Sequence, residues 1–412
     1  NINREAFLSD ADWLSDLKLR ASYGVQGNVD KDTSPLVVGE WDNTQVLPDN
    51  SESNIIVSSP PNQYLRWEKT TNWNGGLDVA VLGNRIAFTA DVYRRVSDDL
   101  IGMRSLPGEN GFDYSTMNWA KLTNRGYELS LSTVNVKTKD FRWVMDFNLA
   151  HNKSKINRLN VRDNSYEPSR EGYSVGAVFS LKTAGLDENG LQMFYNKQGE
   201  KVSFNDFFGL EYGYMMGGLI PFLKSNLSAE EYRNLFTYEG TTEPKFTGGW
   251  INRFYYKNFD LTVSASFVLD QTVQEQPFYN PVQTSPGQNY SRRMSQIWSP
   301  DNTSGKYPRI MGTYTEGEEN WAYQWLGMLD PGNSYRKYDY WFKKMSYMRI
   351  NSIRLGYTFP ERLLGHIGFS SARISFEARN PFVFGSSYKG YFDPETYGNI
   401  YTQPLAKTFS CG

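Results

Sequence analysis

The residues whose types and spacing could do chemistry begin with two pairs of adjacent carboxylates, Asp98-Asp99 and Glu318-Glu319. Two carboxyl groups flanking one bond can serve acid–base work on sugars. Neighbouring side chains in an extended chain point apart, however, so solvated loop charge is the better reading of both pairs. Asp187-Glu188-Asn189-Gly190 could help hold calcium, but it lacks the spacing of a calcium loop and reads as a turn. Trp321, Tyr323 and Trp325 alternate inside an irregular stretch. Such rings could stack on a sugar or meet a partner protein, and internal packing of a long loop is the competing reading. Tyr114 and Trp119 carry the same two readings.

Other reactive residues are sparse. The two histidines, His151 and His366, have no partner at metal-ligand spacing. Cys411 is the single cysteine, so no disulfide framework or cysteine metal site can form within one chain. The glycine clusters, Gly217-Gly218 among them, match no phosphate-binding loop, and no nucleophile–base arrangement is visible. The expectation is a chain that is not an enzyme, with no metal site and no cofactor in this segment; calcium stays open but unsupported.

The elements that must position these residues are read from periodicity. Along Trp73, Gly75, Leu77, Val79 and Val81 every second residue is apolar or small. Gly83-Asn84-Arg85 signals a tight turn. Alternation then resumes with Ile86, Phe88, Ala90 and Val92 on one face. A period of two means strands. The same pattern places strands at Leu17–Gly24, Tyr127–Thr133, Phe141–Leu149, Gly248–Tyr256, Leu261–Leu269, Met345–Phe359 and Ile374–Ala378. In Met345–Phe359 the apolar parity switches, which predicts a β-bulge near Asn351-Ser352. One helix is expected at Ala229–Phe236, with Ser228 and Glu231 as a capping box.

Opposite the apolar residues lie Asp78, Arg142, Asp146 and Asn148. Such a face suits a wet lumen better than a dry core, where these groups would need partners. Trp143 and Phe141, beside a short turn, suit a girdle at a bilayer boundary. The chain of 412 residues carries a net charge of −2, which implies no general attraction to nucleic acid or to an anionic membrane. Aromatic residues make up 16% of it, favouring strands and interfaces. No apolar run reaches the length of a membrane helix, but a barrel strand exposes only alternate residues to lipid. Connections at Gly83–Arg85, Lys137–Asp140, Lys257–Asp260 and Pro360–Phe369 are short, while the alternate ones, near 25–62, 97–120, 155–245, 271–340 and 385–403, are long. Short turns at one end and long loops at the other describe an outer-membrane barrel, and a soluble sandwich has no physical reason to sort its loops this way.

Several motifs then resemble the SusC/RagA family of TonB-dependent outer-membrane transporters. They are Tyr64–Thr71 followed by Trp73-Asn74 and Gly76-Leu77-Asp78; Leu19–Gly24 with Gly27-Asn28; Gly240–Gly249; Trp298–Asn302 with Tyr307-Pro308-Arg309; Ser346–Ile350 leading to Leu355-Gly356-Tyr357; and Arg379–Phe382 with Gly390-Tyr391 and Asp393-Pro394-Glu395. They run through nearly the whole chain in the family's order.

The resemblance implies an all-β fold, a transmembrane antiparallel barrel of about 22 strands of which this chain is roughly the C-terminal half. It implies a place in the cell outer membrane and active import of oligosaccharides or peptides. It also implies a SusD-like surface lipoprotein as lid, TonB acting through an upstream plug region, a dimer of such pairs, and no nucleic acid. On this reading the five large connections are extracellular, and Tyr114, Trp119, Trp321, Tyr323 and Trp325 contact substrate or lid. Both ends of the chain read as cut, so a signal peptide and the end of the last strand are expected outside it, and the chain alone is not expected to insert into a membrane. Ala120 and Cys411 depart from the family's usual residues. The alternative is a soluble secreted β-rich protein that binds or cleaves carbohydrate. Leu77, Val79, Phe88, Trp143, Phe147, Val263 and Phe267 discriminate: one lipid-facing band in a barrel, a buried core in a soluble fold.

Overall fold

The computed structural model describes residues 11–29, 35–42, 54–112, 114–159, 165–215, 220–281, 287–310, 334–364, 369–385, 393–396, 403 and 405–412. Its frame is a ten-stranded antiparallel sheet in which every strand pairs with the next one in the chain. The strands are β1 (Leu14–Asn28), β2 (Glu68–Val81), β3 (Ile86–Ser105), β4 (Tyr114–Lys137), β5 (Phe141–Arg158), β6 (Phe246–Tyr256), β7 (Phe259–Gln274), β8 (Phe342–Thr358), β9 (Arg373–Phe384) and β10 (Thr408–Cys411). In such a meander, connections alternate between the two ends of the sheet, so all the long excursions fall at one end.

Turn chemistry explains the short end. Leu82, Gly83 and Asn84 take φ of 56°, 64° and 62°, and Lys257 takes 51°. Left-handed residues of this kind match the right-handed twist of a strand pair. The expected bulge is present: pairing between β7 and β8 jumps from Ser264↔Ser352 to Ala265↔Ile350, leaving Asn351 as the extra residue. The helix forms at Ala229–Arg233, and Ser228 and Glu231 complete both halves of the capping box.

The connection expected at 97–120 is instead mostly strand. β3 and β4 stay paired to Ser105↔Tyr114, with register irregularities between Ser97 and Ile101. Asp98-Asp99 and Pro107-Gly108 look like loop chemistry, but the carboxylates are not merely solvated. Asp98 binds Lys121 at 2.6 Å, and Asp99 takes two bonds from Arg66 at 2.6 and 2.9 Å. Cross-strand ladder and ion pairs together carry the hairpin outward.

Register assigns the faces. Leu19, Leu77, Ala90 and Leu129 stand in one row, as do Leu131, Phe147 and Trp250. No second layer covers this side among the described residues. Leu19 is 66% exposed, Trp73 56% and Val92 59%. None of Leu77, Val79, Phe88, Trp143, Phe147, Val263 and Phe267 belongs to the buried core. An apolar sheet face left open to this extent suits a wall meeting lipid better than a sandwich, so the soluble alternative is not favoured. Among the described residues no helix is long and apolar enough to cross a membrane.

Rings border the apolar band at both ends. Trp143 stacks on Phe254 at 5.6 Å, and Phe259 meets Tyr357 at 4.6 Å, next to the short turns. Toward the long excursions Tyr23 meets Trp73 at 4.5 Å, and His151 lies 5.2 Å from both Tyr127 and Phe246. From Phe141 to His151 is about ten residues, which at roughly 3.3 Å each and a tilt near 40° gives a band about 25 Å tall, the hydrocarbon span of an outer-membrane barrel. Within the band Asn252 is buried and accepts a bond from the Trp143 indole at 2.9 Å, so this polar group does not face lipid unpaired.

Among the described residues the larger buried cluster lies outside the sheet, and a smaller one, Val273, Met345 and Tyr347, sits on β7 and β8. Leu181, Phe194, Phe207, Phe208, Tyr232, Ile297, Tyr338 and Trp341 form one cluster drawn from the two largest excursions. These stretches fold into a packed module, with paired strands at Ala177–Ser180 and Thr237–Thr241 and a hydrogen-bonded seam between Leu181 and residues Lys337 and Asp339.

Candidate functional site

The polar face of the sheet is built on one recurrent device. A glycine on a middle strand lets side chains from the strands on either side meet above it. Arg20 of β1 reaches over Gly76 of β2 to Asp91 of β3 at 2.8 and 2.9 Å, and also holds Asp78 at 2.8 and 3.0 Å. Tyr93 of β3 crosses Gly126 of β4 and donates to Asn152 of β5 at 3.2 Å. Arg373 of β9 crosses Gly356 of β8 to both oxygens of Asp260 of β7, at 2.8 and 2.7 Å. Bidentate pairs of this type fix side chains as well as attract them, so these charges are held stiffly and in matched pairs. At Gly126 a Cβ would collide with the Tyr93 ring and the His151 carbonyl. Gly126→Ala is therefore expected to destabilise the folded full-length protein by about 1–3 kcal/mol. Gly24→Ala, where nothing lies within 4 Å, should be near neutral. Urea midpoints of the two variants in detergent check this.

Asp78, Arg142, Asp146 and Asn148 share this face by register but not a common site. Asp78 belongs to the Arg20 cluster. Asp146 of β5 accepts from Ser132 at 2.5 Å and pairs with Arg253 of β6. Asn148 lies beneath Gly249, and the Arg142 guanidinium sits 6.0 Å from the Tyr255 ring near the short turns. A matched, hydrated wall of donors and acceptors can pass a polar solute without holding it tightly.

At the mouth, two motifs far apart in the chain meet. Arg349 of β8 is 2% exposed and is gripped by Asp393 and by Glu395, the latter at 2.5 Å. Removing either acid would leave a buried guanidinium short of a partner. Spacing alone gave no signal for this contact.

The aromatic candidates fare differently. Trp119 is half-buried, with the Arg104 and Arg158 guanidinium groups 4.6 and 5.0 Å from its ring centre. Tyr114 opens β4. Trp321, Tyr323 and Trp325 lie outside the described residues, as do Glu318, Glu319, His366 and Gly217-Gly218. Asp187 makes a turn in which its Oδ1 accepts the Asn189 and Leu191 amides at 2.9 and 2.7 Å. The sequence reading missed a cleft of about 380 Å³ in the module, lined by Met294, Trp298, Asn302 and Arg309. Trp298 had appeared only within a motif. Its ring is backed by Gly190, with the Arg309 guanidinium 5.9 Å from its centre. A ring face beside amide and guanidinium donors can hold a sugar or a peptide.

Electrostatics brace the module. Arg293 lies 4.5 Å from the Phe278 ring, donates to the Tyr307 hydroxyl at 2.6 Å and pairs with Glu275. Burial works against its charge, but Tyr307 and Glu275 outweigh that and raise its pKa. Burial pushes the Tyr335 phenol strongly up. At the helix cap the Ser228 amide and hydroxyl each donate to Glu231 at 2.8 Å and hold its carboxyl below the usual range. A lowered folded pKa contributes stability above the unfolded pKa, lost as pH falls through the folded value. Amide exchange across 229–233, corrected for the intrinsic rate, should speed up on acidification in the natural protein, and Ser228→Ala should already exchange faster at neutral pH.

A family model described as "TonB dependent receptor-like, beta-barrel" matches residues 10–213. TonB-dependent receptor P3 of Formosa agariphila is 28% identical over 413 residues, covering 96% of this chain and 37% of that protein. TonB-dependent receptor SusC of Bacteroides thetaiotaomicron is 28% identical over 426 residues, covering 100% of this chain and 38% of that protein. The solved RagAB peptide transporter shares the fold, with a TM-score of 0.67 and 21% identity over 95% of this chain and 39% of that one. The chain thus spans well under half the length of the curated relatives it matches.

Proposed function

Since a TonB-dependent receptor β-barrel family model matches residues 10–213, we propose that the full-length protein is a transporter of this kind and imports oligosaccharides or peptides across the outer membrane, with these ten strands as one side of its barrel. The observation that carries the reading is the sheet with an apolar band on one face, uncovered among the described residues, and a polar wall with paired charges on the other. A relative is named TonB-dependent receptor SusC and a solved neighbour of the same fold is described as a peptide transporter, which supports import as the role and peptides as one cargo class; oligosaccharides follow from the SusC/RagA resemblance. The polar face lines the passage. The packed module forms the outer vestibule, where Trp298 meets cargo; Tyr114 and Trp119 on β4 meet cargo or lid, and the same role is proposed for Trp321, Tyr323 and Trp325 from their sequence pattern alone.

The partners on this reading are a SusD-like lipoprotein over the mouth and TonB acting through a plug outside this segment, in a dimer of such pairs. The work is done by energised opening rather than by bond chemistry, so the protein is not an enzyme and this segment uses no cofactor. Cells carrying the full-length protein should take up labelled oligosaccharide or peptide pools only while the membrane is energised. Mass spectrometry of the co-purified ligand names the class. Uptake that persists after the proton-motive force is collapsed would overturn the proposal.

A further inference from the structure

On the outer face, three cations stand side by side on adjacent strands. Trp73, Arg94, Arg125 and Lys153 occupy one continuous row across β2, β3, β4 and β5. Their neighbours in the row nearer the sheet's centre are Gly75, Val92, Tyr127 and His151, so the cations project on the apolar side, directly above the aromatic girdle. Lys155 follows on the same side of β5. Strands lie about 4.8 Å apart, and like charges directly opposite one another repel. A protein that needed only solubility there would intersperse acids.

The opposite face sharpens the contrast. There Arg20, Arg253 and Arg373 are each in an ion pair. Among the described residues Arg94, Arg125, Lys153 and Lys155 form none, and all four are exposed. The next carboxylate outward on that side of β3, Asp98, is already bound to Lys121 at 2.6 Å. The row is therefore an array of unmatched positive charge, held rigid by the ladder, at the depth where aromatic rings give way to headgroups.

We propose that this row binds the phosphate groups of the outer-leaflet glycolipid. The row sits at the long-excursion end, which in a barrel of this kind faces outward. Arginine forks match phosphate oxygens, and the lysine adds a point charge. A headgroup bound there would relieve the mutual repulsion of the row and fix the barrel's height and its neighbouring lipid. The inference rests on the outer-membrane barrel reading and goes beyond import.

The test uses full-length protein extracted from the outer membrane in mild detergent and reconstituted in nanodiscs carrying lipid A or enzymatically dephosphorylated lipid A. Native mass spectrometry counts bound lipid. The wild type should retain lipid A, release it at high salt, and retain little of the dephosphorylated form. R94Q/R125Q/K153Q should bind lipid A roughly 10- to 100-fold more weakly. Arg95→Gln, changed on the opposite face, should bind nearly as the wild type, and the charge-preserving R94K/R125K should fall between the wild type and the triple variant. Equal retention by wild type and the triple variant, or equal retention of both lipids, would overturn the site. Barrel assembly is scored separately by the heat-dependent mobility shift. Wild-type protein that never shows the shift would refute the barrel reading and the site with it, whereas a normal shift without lipid preference refutes the site alone.

Discussion

Phe147→Arg in the full-length protein is expected to cost about 2–4 kcal/mol of barrel stability, the penalty of a cation at the lipid-facing midplane. Phe147 sits midway along β5, paired with Leu131 and Trp250, and stacks on Phe267 at 6.0 Å across Gly248. The substitution loses this ring contact and places an unpaired guanidinium against hydrocarbon. Asn148→Arg, one residue along and on the opposite face, should change stability by less than about 0.5 kcal/mol, because a hydrated wall solvates the charge. Urea midpoints in lipid, together with the fraction reaching the heat-modifiable outer-membrane form, measure the pair. Similar penalties for the two positions would mean that the faces are not chemically distinct, and the membrane assignment would fail with them.

Trp341→Ala should unfold the excursion module while leaving the barrel assembled. Trp341 is fully buried and stacks on Tyr307 at 5.4 Å, with Phe278, Tyr335 and Tyr340 around it at 5.8, 5.6 and 5.0 Å. Deleting a ring from such a site costs about 3–5 kcal/mol, a large share of what a module of this size can hold. Protease sensitivity and amide exchange should rise at 181–210 and 290–310, with the heat-dependent shift of the barrel intact. The Trp341 Nε1–H has no hydrogen-bond partner among the described residues, so Trp341→Phe, which keeps most of the ring and removes that N–H, should be much milder. Uptake lost in Trp341→Ala with normal assembly would assign the vestibule a part in cargo capture. Loss of assembly would instead make the module part of the barrel's folding unit.

How much was legible in the chain follows from which forces act locally. The two-residue alternation of Leu77–Val81 and Phe141–Leu149 could be read directly, because each side chain meets lipid or water independently of its distant neighbours. The turn at Gly83-Asn84-Arg85 and the cap at Ser228 are equally local, since a few residues satisfy their own backbone groups. The parity switch near Asn351 was visible because a bulge moves every later side chain to the other face. Where local chemistry and cross-strand pairing competed, pairing won. Asp98-Asp99 reads as loop, yet Lys121 and Arg66 hold it within an extended hairpin.

What tertiary structure alone decided is everything that joins residues far apart in the chain. The module's core collects Leu181, Phe207, Ile297 and Trp341 from aperiodic stretches, where no spacing announces an inward face. Arg349 finds Asp393 and Glu395 only once two strands and the final excursion are in place. The cationic row takes one residue each from β3, β4 and β5, and only strand register, set by turns and bulges together, brings Arg94, Arg125 and Lys153 level. The amino-acid order thus determined which face of each strand is wet and which is greasy, since that depends on single residues. The fold determined what those faces hold, since charge matching, ring packing and ligand-sized clefts depend on neighbours supplied by other strands.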